Sequence, residues 1–446
     1  MNGLKRIVSN MNMEPAIFFY MCSSFMKYPI FMNLIYEKSC YQRYNDVGVD
    51  CQNISAVYDD KKLQTDANHL YLFSSIVLLI PSIVVSLVLG SLSDSWSVKI
   101  PMMIPFVGHI LGDLSYIIQA TKIEWDPYWL LISDLITGVS GGFTAIIGTI
   151  LSYNVKMTST EFRSTRVASF EAAIGFGSTV GLIISGILHQ SIGYANCFLI
   201  MMIMKTVGYF YIVFFAKELD IETSERERRP FFYKLYEVFE FLLSYRTRDV
   251  FVPLIQVLIA LSVEMFVYAG ISDILYSYLR YTLGWNDKPY GWFNGIASGI
   301  SSVLVLVLYP LLHNKLNFHD LHLAILGICS KVLFLFMFAF LFSVWWAYLS
   351  QIPLVFNRFV STGLRAGCSE FVDDGDQGKL FSMISMIEGI TTILASILFN
   401  GLYPMTLDFF PGTCFVVVAL SMLLPIGLTS RVIYSNQSSS ASEDSQ

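Results

Sequence analysis

Charge is scarce in this sequence: Asp, Glu, Lys and Arg make up only 14% of its 446 residues, against about 25% in ordinary soluble chains. A soluble globular domain of usual composition is therefore excluded. No block of basic residues is present, which removes nucleic acid from the expected partners. Histidine is limited to His69, His109, His189, His313, His319 and His322. They form no HExxH pair and no metal-ligand set, and no glycine-rich phosphate loop ending in lysine occurs. Neither a cofactor nor an enzyme is expected, and ATP-driven pumping has no support. Strict apolar/polar alternation is missing too, which excludes a membrane β-barrel.

What the chain has in abundance is apolar length. Hydrophobic residues reach 54%, and runs of about 20, enough to cross a bilayer as helix, recur along nearly the whole chain. The reading is an all-α integral membrane protein. Residues 1–14 are polar, and the run after them is too long for the core of a signal peptide, so it reads as a retained first span. Spans are predicted at 15–36, 67–92, 99–120, 127–154, 165–190 and 193–217, then at 249–280, 287–312, 320–343, 345–367, 378–403 and 408–432. Six, a charged linker and six again is the two-half pattern of alternating-access carriers. The expected divisions are 1–216, a cytosolic linker at 217–248, 249–432, and a disordered Ser-rich, acidic tail at 433–446. The linker reads either as a short amphipathic surface helix or as a plain tether.

Basic residues orient the chain. With both termini in the cytosol, the inner loops hold Lys5, Arg6, Lys99, Arg163, Arg166 and the Arg226, Arg228, Arg229 cluster, while the outer loops hold few. That is the positive-inside arrangement. The first outer loop, 37–66, contains Cys40, Cys51 and the sequon at Asn53. A disulfide and a glycan are both chemically reasonable on that side, though the two cysteines could equally stay reduced.

Ionisable residues inside spans are costly, so they mark polar routes or paired structural charges. Glu171 is a lone acid about two turns into the fifth span, followed by Gly177 and Gly181, whose spacing lets a neighbouring helix come close. It is expected to line a polar route, the alternative being a paired structural acid. Lys27, beside Tyr28 and Pro29 midway along the first span, is expected to meet an acid or an anionic substrate, unless it snorkels to the boundary. Asp113, Asp134, Glu264, Asp273 and Glu388 are further intramembrane acids, Asp273 being the strongest candidate among them. Some must be structural, because one cavity cannot hold so many uncompensated charges. His109 reads as polar packing, and Lys205, Lys331 and Arg358 as span anchors.

The inner loop after the second span reads GSLSDSWSVK over 90–99. Gly90 would admit a close helix, Asp94 would face a helix N-terminus, and Lys99, with Arg166 on the next inner loop, would supply cations as a gating set. The loop resembles the signature loop of the major facilitator superfamily, with Ser97 in place of a usual glycine and Val98 in place of a basic residue. FRSTRVASFEAAIG at 162–175, GYAN at 193–196, DIL at 273–275, Arg365-Ala366, DQGKLFS at 376–382 and FNGLYP at 399–404 occur in order across both halves. Together they resemble solute carrier family 46, the proton-coupled folate transporter family.

The resemblance implies a twelve-helix major facilitator fold, two six-helix halves, with Glu171 in proton coupling and Arg365 in substrate binding or coupling. Two positions depart from the folate branch. Val139 stands where that branch has a substrate-binding aspartate, and Tyr268 where it has a histidine linked to coupling. Folate itself is thereby disfavoured, and Tyr268 becomes a substrate-contact candidate with Lys27, Arg365 and Asp273. Cations and aromatic residues together suit an organic anion with a planar ring. The family implies folates, cyclic dinucleotides and bacterial cell-wall fragments. The expected partners are such an anion, protons and the lipid bilayer, at the plasma membrane or an endolysosomal membrane. The alternative is a receptor or scaffold that keeps the carrier fold without transporting.

Overall fold

The structure is a computed structural model that describes residues 12–44, 51, 57–95, 97–158, 163–218, 240, 245, 250–372 and 377–443. Among the described residues there is helix and no strand. Among the described residues nine stretches are long and apolar enough to cross a membrane, so this is a multi-pass membrane protein.

The first helix, α1 (Glu14–Tyr44), is not among the nine, because Lys27 and its Ser, Tyr and Asn residues lower its hydropathy. Most of its residues between Ala16 and Cys40 are buried against neighbours, Lys27 being partly exposed. Next come α2 (Lys61–Ser95) and α3 (Lys99–Thr121). The predicted helix over 127–154 is divided into a short 3-10 turn (Pro127–Trp129), α4 (Leu130–Val139) and α5 (Gly142–Lys156). The break falls at Gly141 and Gly142, whose φ values of 101° and 54° are backbone that only glycine adopts without strain.

Next is α6 (Arg163–Phe215), broken inside at Gly193 by φ 74° and ψ 175°. Its two limbs run oppositely along α1. Gly177 abuts Phe18 and Met21, and Gly181 abuts Cys22 and Met26, so the first limb ascends with α1. Asn33 bonds Tyr194, Gly208 faces Ala16, and Tyr211 reaches the Asn12 carbonyl, so the second limb descends. The chain therefore reverses at Gly193. Where α1, α3, α5 and α6 meet, Ile17, Tyr20, Met102, Phe106, Ile146, Ile150, Phe170 and Ile212 form a dry core.

The remaining helices are α7 (Phe251–Leu283), α8 (Asp287–Leu316), α9 (Asp320–Ala339), α10 (Val344–Leu354), α11 (Asn357–Glu370), α12 (Gln377–Thr406), α13 (Thr413–Ser421) and α14 (Leu423–Glu443). The predicted helix over 345–367 is interrupted between α10 and α11, just after Pro353, which cannot donate a backbone bond. Pro425 is tolerated because it lies in the first turn of α14, where N–H groups lack helical partners anyway. The backbone of α14 stays helical to Glu443, beyond residue 433, where composition predicts a disordered tail. No Pro or Gly follows Gly427 to end it.

The chain separates into two compact units, 1–231 with 284–299, and 232–283 with 300–446. The expected division near 249 thus differs in one respect, since the first turns of α8 belong to the first unit. Small residues explain this. Gly291 and Gly295 abut Leu182 and Ile183 on α6, Gly299 faces Thr179, and Gly186 lies against the Lys288 backbone. Within the second unit, Gly327 faces Val360 and Gly363 faces Ala324, bringing α9 and α11 together in the same way.

Candidate functional site

In the first unit the polar residues of α3 follow its helical period. His109, Asp113, Tyr116 and Gln119 are spaced four, three and three apart and so share one face. Each meets a partner on another helix. Tyr20 Oη of α1 lies 3.0 Å from His109 Nε2. Lys205 of α6 donates to both oxygens of Asp113, at 2.9 and 2.7 Å. Gln119 Nε2 donates to Ser133 Oγ at 2.8 Å.

The third rung is a four-helix cluster. Lys27 Nζ of α1 donates to Tyr116 Oη at 3.0 Å, and Tyr116 donates in turn to Asp134 Oδ1 of α4. Ser74 Oγ of α2 donates to Asp134 Oδ2 at 2.6 Å. Lys27 Nζ stands 3.6 Å from Asp134 Oδ1, with side-chain exposures of 18% and 1%. The ammonium also lies 4.2 Å from the Tyr116 ring centroid and 5.0 Å from that of Phe31, a cation–π setting that suits a partly desolvated lysine.

The second unit has its own polar residues. Lys331 of α9 donates to both oxygens of Glu264 on α7, at 2.8 and 2.9 Å, and both side chains are buried. Tyr268, one turn on and exposed, places its ring centroid 5.5 Å from the same ammonium. Asp273 accepts from Asn400 Nδ2 at 3.0 Å. Arg365 Nη2 of α11 lies 3.1 Å from Glu388 Oε2 of α12, with exposures of 35% and 52%.

Toward the end of α1, the Tyr194 hydroxyl donates to Glu37 Oε2 at 2.7 Å and accepts from Asn33. Its ring lies tilted against that of His189, centroids 4.0 Å apart, and His189 Nδ1 lies 2.6 Å from Asp287 Oδ2. Burial pushes the Glu37 carboxyl up, while Tyr194, His189 and Lys38 draw it back down. Nearby, the Lys38 ammonium donates to the carbonyls of Lys122, Ile123 and Trp125, satisfying groups that the end of α3 leaves open.

The residues singled out from sequence fall into distinct settings. Lys27 has an acid beside it, Asp134. Cys40 and Cys51 are joined as a disulfide. Arg365, Asp273 and Tyr268 all lie in the second unit but contact different residues. Val139 is exposed. At Gly90 none of the described residues lies within 4 Å of the place a side chain would occupy. Lys99 donates to the Val213 carbonyl at 2.6 Å and so caps the end of α6. The side chains of Glu171, Asp94 and Arg166, the whole of Asn53 and most of the linker lie outside the described residues.

Reading single residues missed the network around Asp134. Its signal was the i, i+4, i+7 spacing of His109, Asp113 and Tyr116 in an otherwise apolar span. Lys205 and Lys331, expected as anchors, are each clamped to a buried acid, and this accounts for Asp113 and Glu264 as structural charges.

The model of the Major Facilitator Superfamily matches residues 16–396. The human lysosomal proton-coupled steroid conjugate and bile acid symporter SLC46A3 is 26% identical over 434 residues, covering 92% of this chain and 92% of the relative. Its Gallus gallus counterpart is 23% identical over 431 residues, covering 93% and 92%. The proton-coupled folate transporter of Rattus norvegicus is 25% identical over 400 residues, covering 86% and 83%. These relatives are transporters, not enzymes. Among solved structures, the human organic anion transporter MFSD10 (TETRAN) superposes with a TM-score of 0.66 at 13% identity, covering 94% of this chain and 97% of the other. The inward-open xylose transporter XylE from E. coli gives 0.62 at 13% identity, covering 94% and 95%. At that identity the likeness speaks for the fold alone. With the superfamily model spanning most of its length and carriers of solute carrier family 46 aligning nearly end to end, this chain belongs to the major facilitator superfamily.

Proposed function

We propose that the protein is a proton-coupled secondary transporter that carries an organic anion with an apolar ring body into the cytosol by alternating access. The observation that carries this reading is Lys27, a cation 18% exposed at mid-span and flanked by the Tyr116 and Phe31 rings. An ammonium against aromatic faces offers an anion its charge and a ring its stacking surface. Arg365 supplies the second cation, with Asp273 and Tyr268 as substrate contacts and Glu171 in proton coupling. Twelve spans in two halves, with both termini cytosolic, put the Cys40–Cys51 loop and the Asn53 sequon on the acidic outer or lumenal face. Asp94, Lys99 and Arg166 then belong to the cytosolic gate. The substrate classes to compare are steroid conjugates and bile acids, folates, cyclic dinucleotides and cell-wall fragments. Steroid conjugates come first, because Val139 and Tyr268 depart from the folate branch.

The test is uptake into proteoliposomes, with and without an acid-outside gradient, across that panel. One class should accumulate only with the gradient. Lys27→Ala and Arg365→Ala should each lower its uptake by about 10- to 100-fold, the worth of a charge-assisted hydrogen bond. Glu171→Gln should abolish gradient-driven accumulation. Unchanged uptake in both cation variants, or a wild-type pH dependence in Glu171→Gln, defeats the reading.

A further inference from the structure

We propose that Asp134 is the acid that yields Lys27 to the transported anion and takes up a proton as it does so. This rests on reading Lys27 as the anion's cation. An ionised carboxylate persists inside a span only while its charge is compensated, and the described ion pairs within spans achieve this in different ways. Asp113 with Lys205, and Glu264 with Lys331, are doubly hydrogen-bonded, and every member is at most 5% exposed. Neither partner is reachable. Arg365 and Glu388 are exposed enough for water to solvate each one alone.

Asp134 and Lys27 differ from both kinds. The acid is 1% exposed and the cation 18%, and at 3.6 Å they are beyond hydrogen-bond reach. What joins them is the Tyr116 hydroxyl. An anion can therefore reach the cation without reaching the acid. As the anion draws the ammonium toward itself, Asp134 is left with two hydroxyl donors, Ser74 and Tyr116, which cannot cancel a full charge.

Uptake of one proton restores neutrality. Tyr116 Oη, 3.0 Å from Lys27 Nζ, gives its own proton to Asp134 Oδ1 and is replenished from water at the exposed lysine. The groups facing Asp134 are Lys27 from α1, Ser74 from α2 and Tyr116 from α3. The next charges, Asp113 on α3 and Lys205 on α6, neutralise one another. When the anion leaves toward the cytosol, the ammonium returns and the proton departs, so one proton crosses per anionic charge.

The experiment is equilibrium binding of a radiolabelled steroid sulfate to the full chain in nanodiscs. A sulfate monoester keeps its charge throughout, so any pH dependence belongs to the protein. Wild-type affinity should rise about tenfold or more between about pH 7.5 and about pH 5.5. In Asp134→Asn the rise should fall below about twofold, and binding at the higher pH should match that of wild type in acid. A merely structural role would weaken binding at every pH. Retention of the wild-type pH dependence of binding in Asp134→Asn overturns the proposal.

Infrared spectroscopy supplies an arm that needs no substrate. Lys27→Met should show the carbonyl band of a protonated carboxylic acid at neutral pH, and Lys27→Met/Asp134→Asn should lack it. Absence of the band from Lys27→Met overturns the proposal. A wild type that binds no anion defeats the anion-carrier reading, and the infrared arm still decides this one.

Discussion

Lys205→Met should lower the unfolding free energy by about 3–5 kcal/mol, the penalty for leaving one member of a buried ion pair without its partner. Asp113 would remain almost wholly buried, with both oxygens deprived of the ammonium that now bonds them at 2.9 and 2.7 Å. The double variant Lys205→Met/Asp113→Leu should recover most of the loss, since apolar replacement of such a pair is often neutral or better. Denaturant titration of the purified protein in mild detergent, run as a double-mutant cycle, measures the coupling. Lys331→Met and Lys331→Met/Glu264→Leu should behave alike in the second unit, where the geometry is repeated at 2.8 and 2.9 Å. Additive costs in either cycle would show that the pair does not act as a unit. The contrast with Asp134 lies in reachability, because a cation no ligand can approach contributes to the fold and not to exchange.

Gly181→Ala carries the other large effect, through a single methyl group. Its β-carbon would overlap the Cys22 carbonyl oxygen and come within 3.0 Å of the Met26 amide nitrogen. These are backbone atoms of α1, so no rotamer change relieves the clash. The first limb of α6 would have to move off α1, at about 1–3 kcal/mol and toward the upper end of the overpacking range. Gly148→Ala is the internal control, because among the described residues nothing lies within 4 Å of its would-be side chain. Removing a helical glycine there should stabilise by about 0.5–1 kcal/mol. Thermal unfolding of the two variants side by side reads the difference. Equal shifts would mean that the α1–α6 seam is softer than its geometry states.

Much of the architecture was legible because lipid imposes one strong rule, that backbone polar groups be satisfied within helices. Apolar length alone therefore placed most helix limits to within a few residues. What periodicity could not see were breaks set by single residues: Gly141 and Gly142 inside the fourth predicted span, and Pro353 near the interruption of the tenth. The site was less legible. Lys27 stood out as a lone cation at membrane depth, but which of several intramembrane acids it meets depends on how four helices are turned toward one another. No linear pattern states that. Asp113 and Asp134 look equivalent in sequence, and only burial with partner geometry separates a clamped acid from one whose cation can be taken away.

The reversal at Gly193 has a bearing on biogenesis. A residue with a β-carbon would resist φ 74° with ψ 175°, an essentially glycine-only region, by about 1–3 kcal/mol. If the two limbs of α6 stayed collinear, the nascent chain would make one crossing fewer. Every subsequent hydrophilic segment would then emerge from the opposite leaflet. The parity of crossings in the C-terminal portion is thus set by a turn that glycine makes without strain.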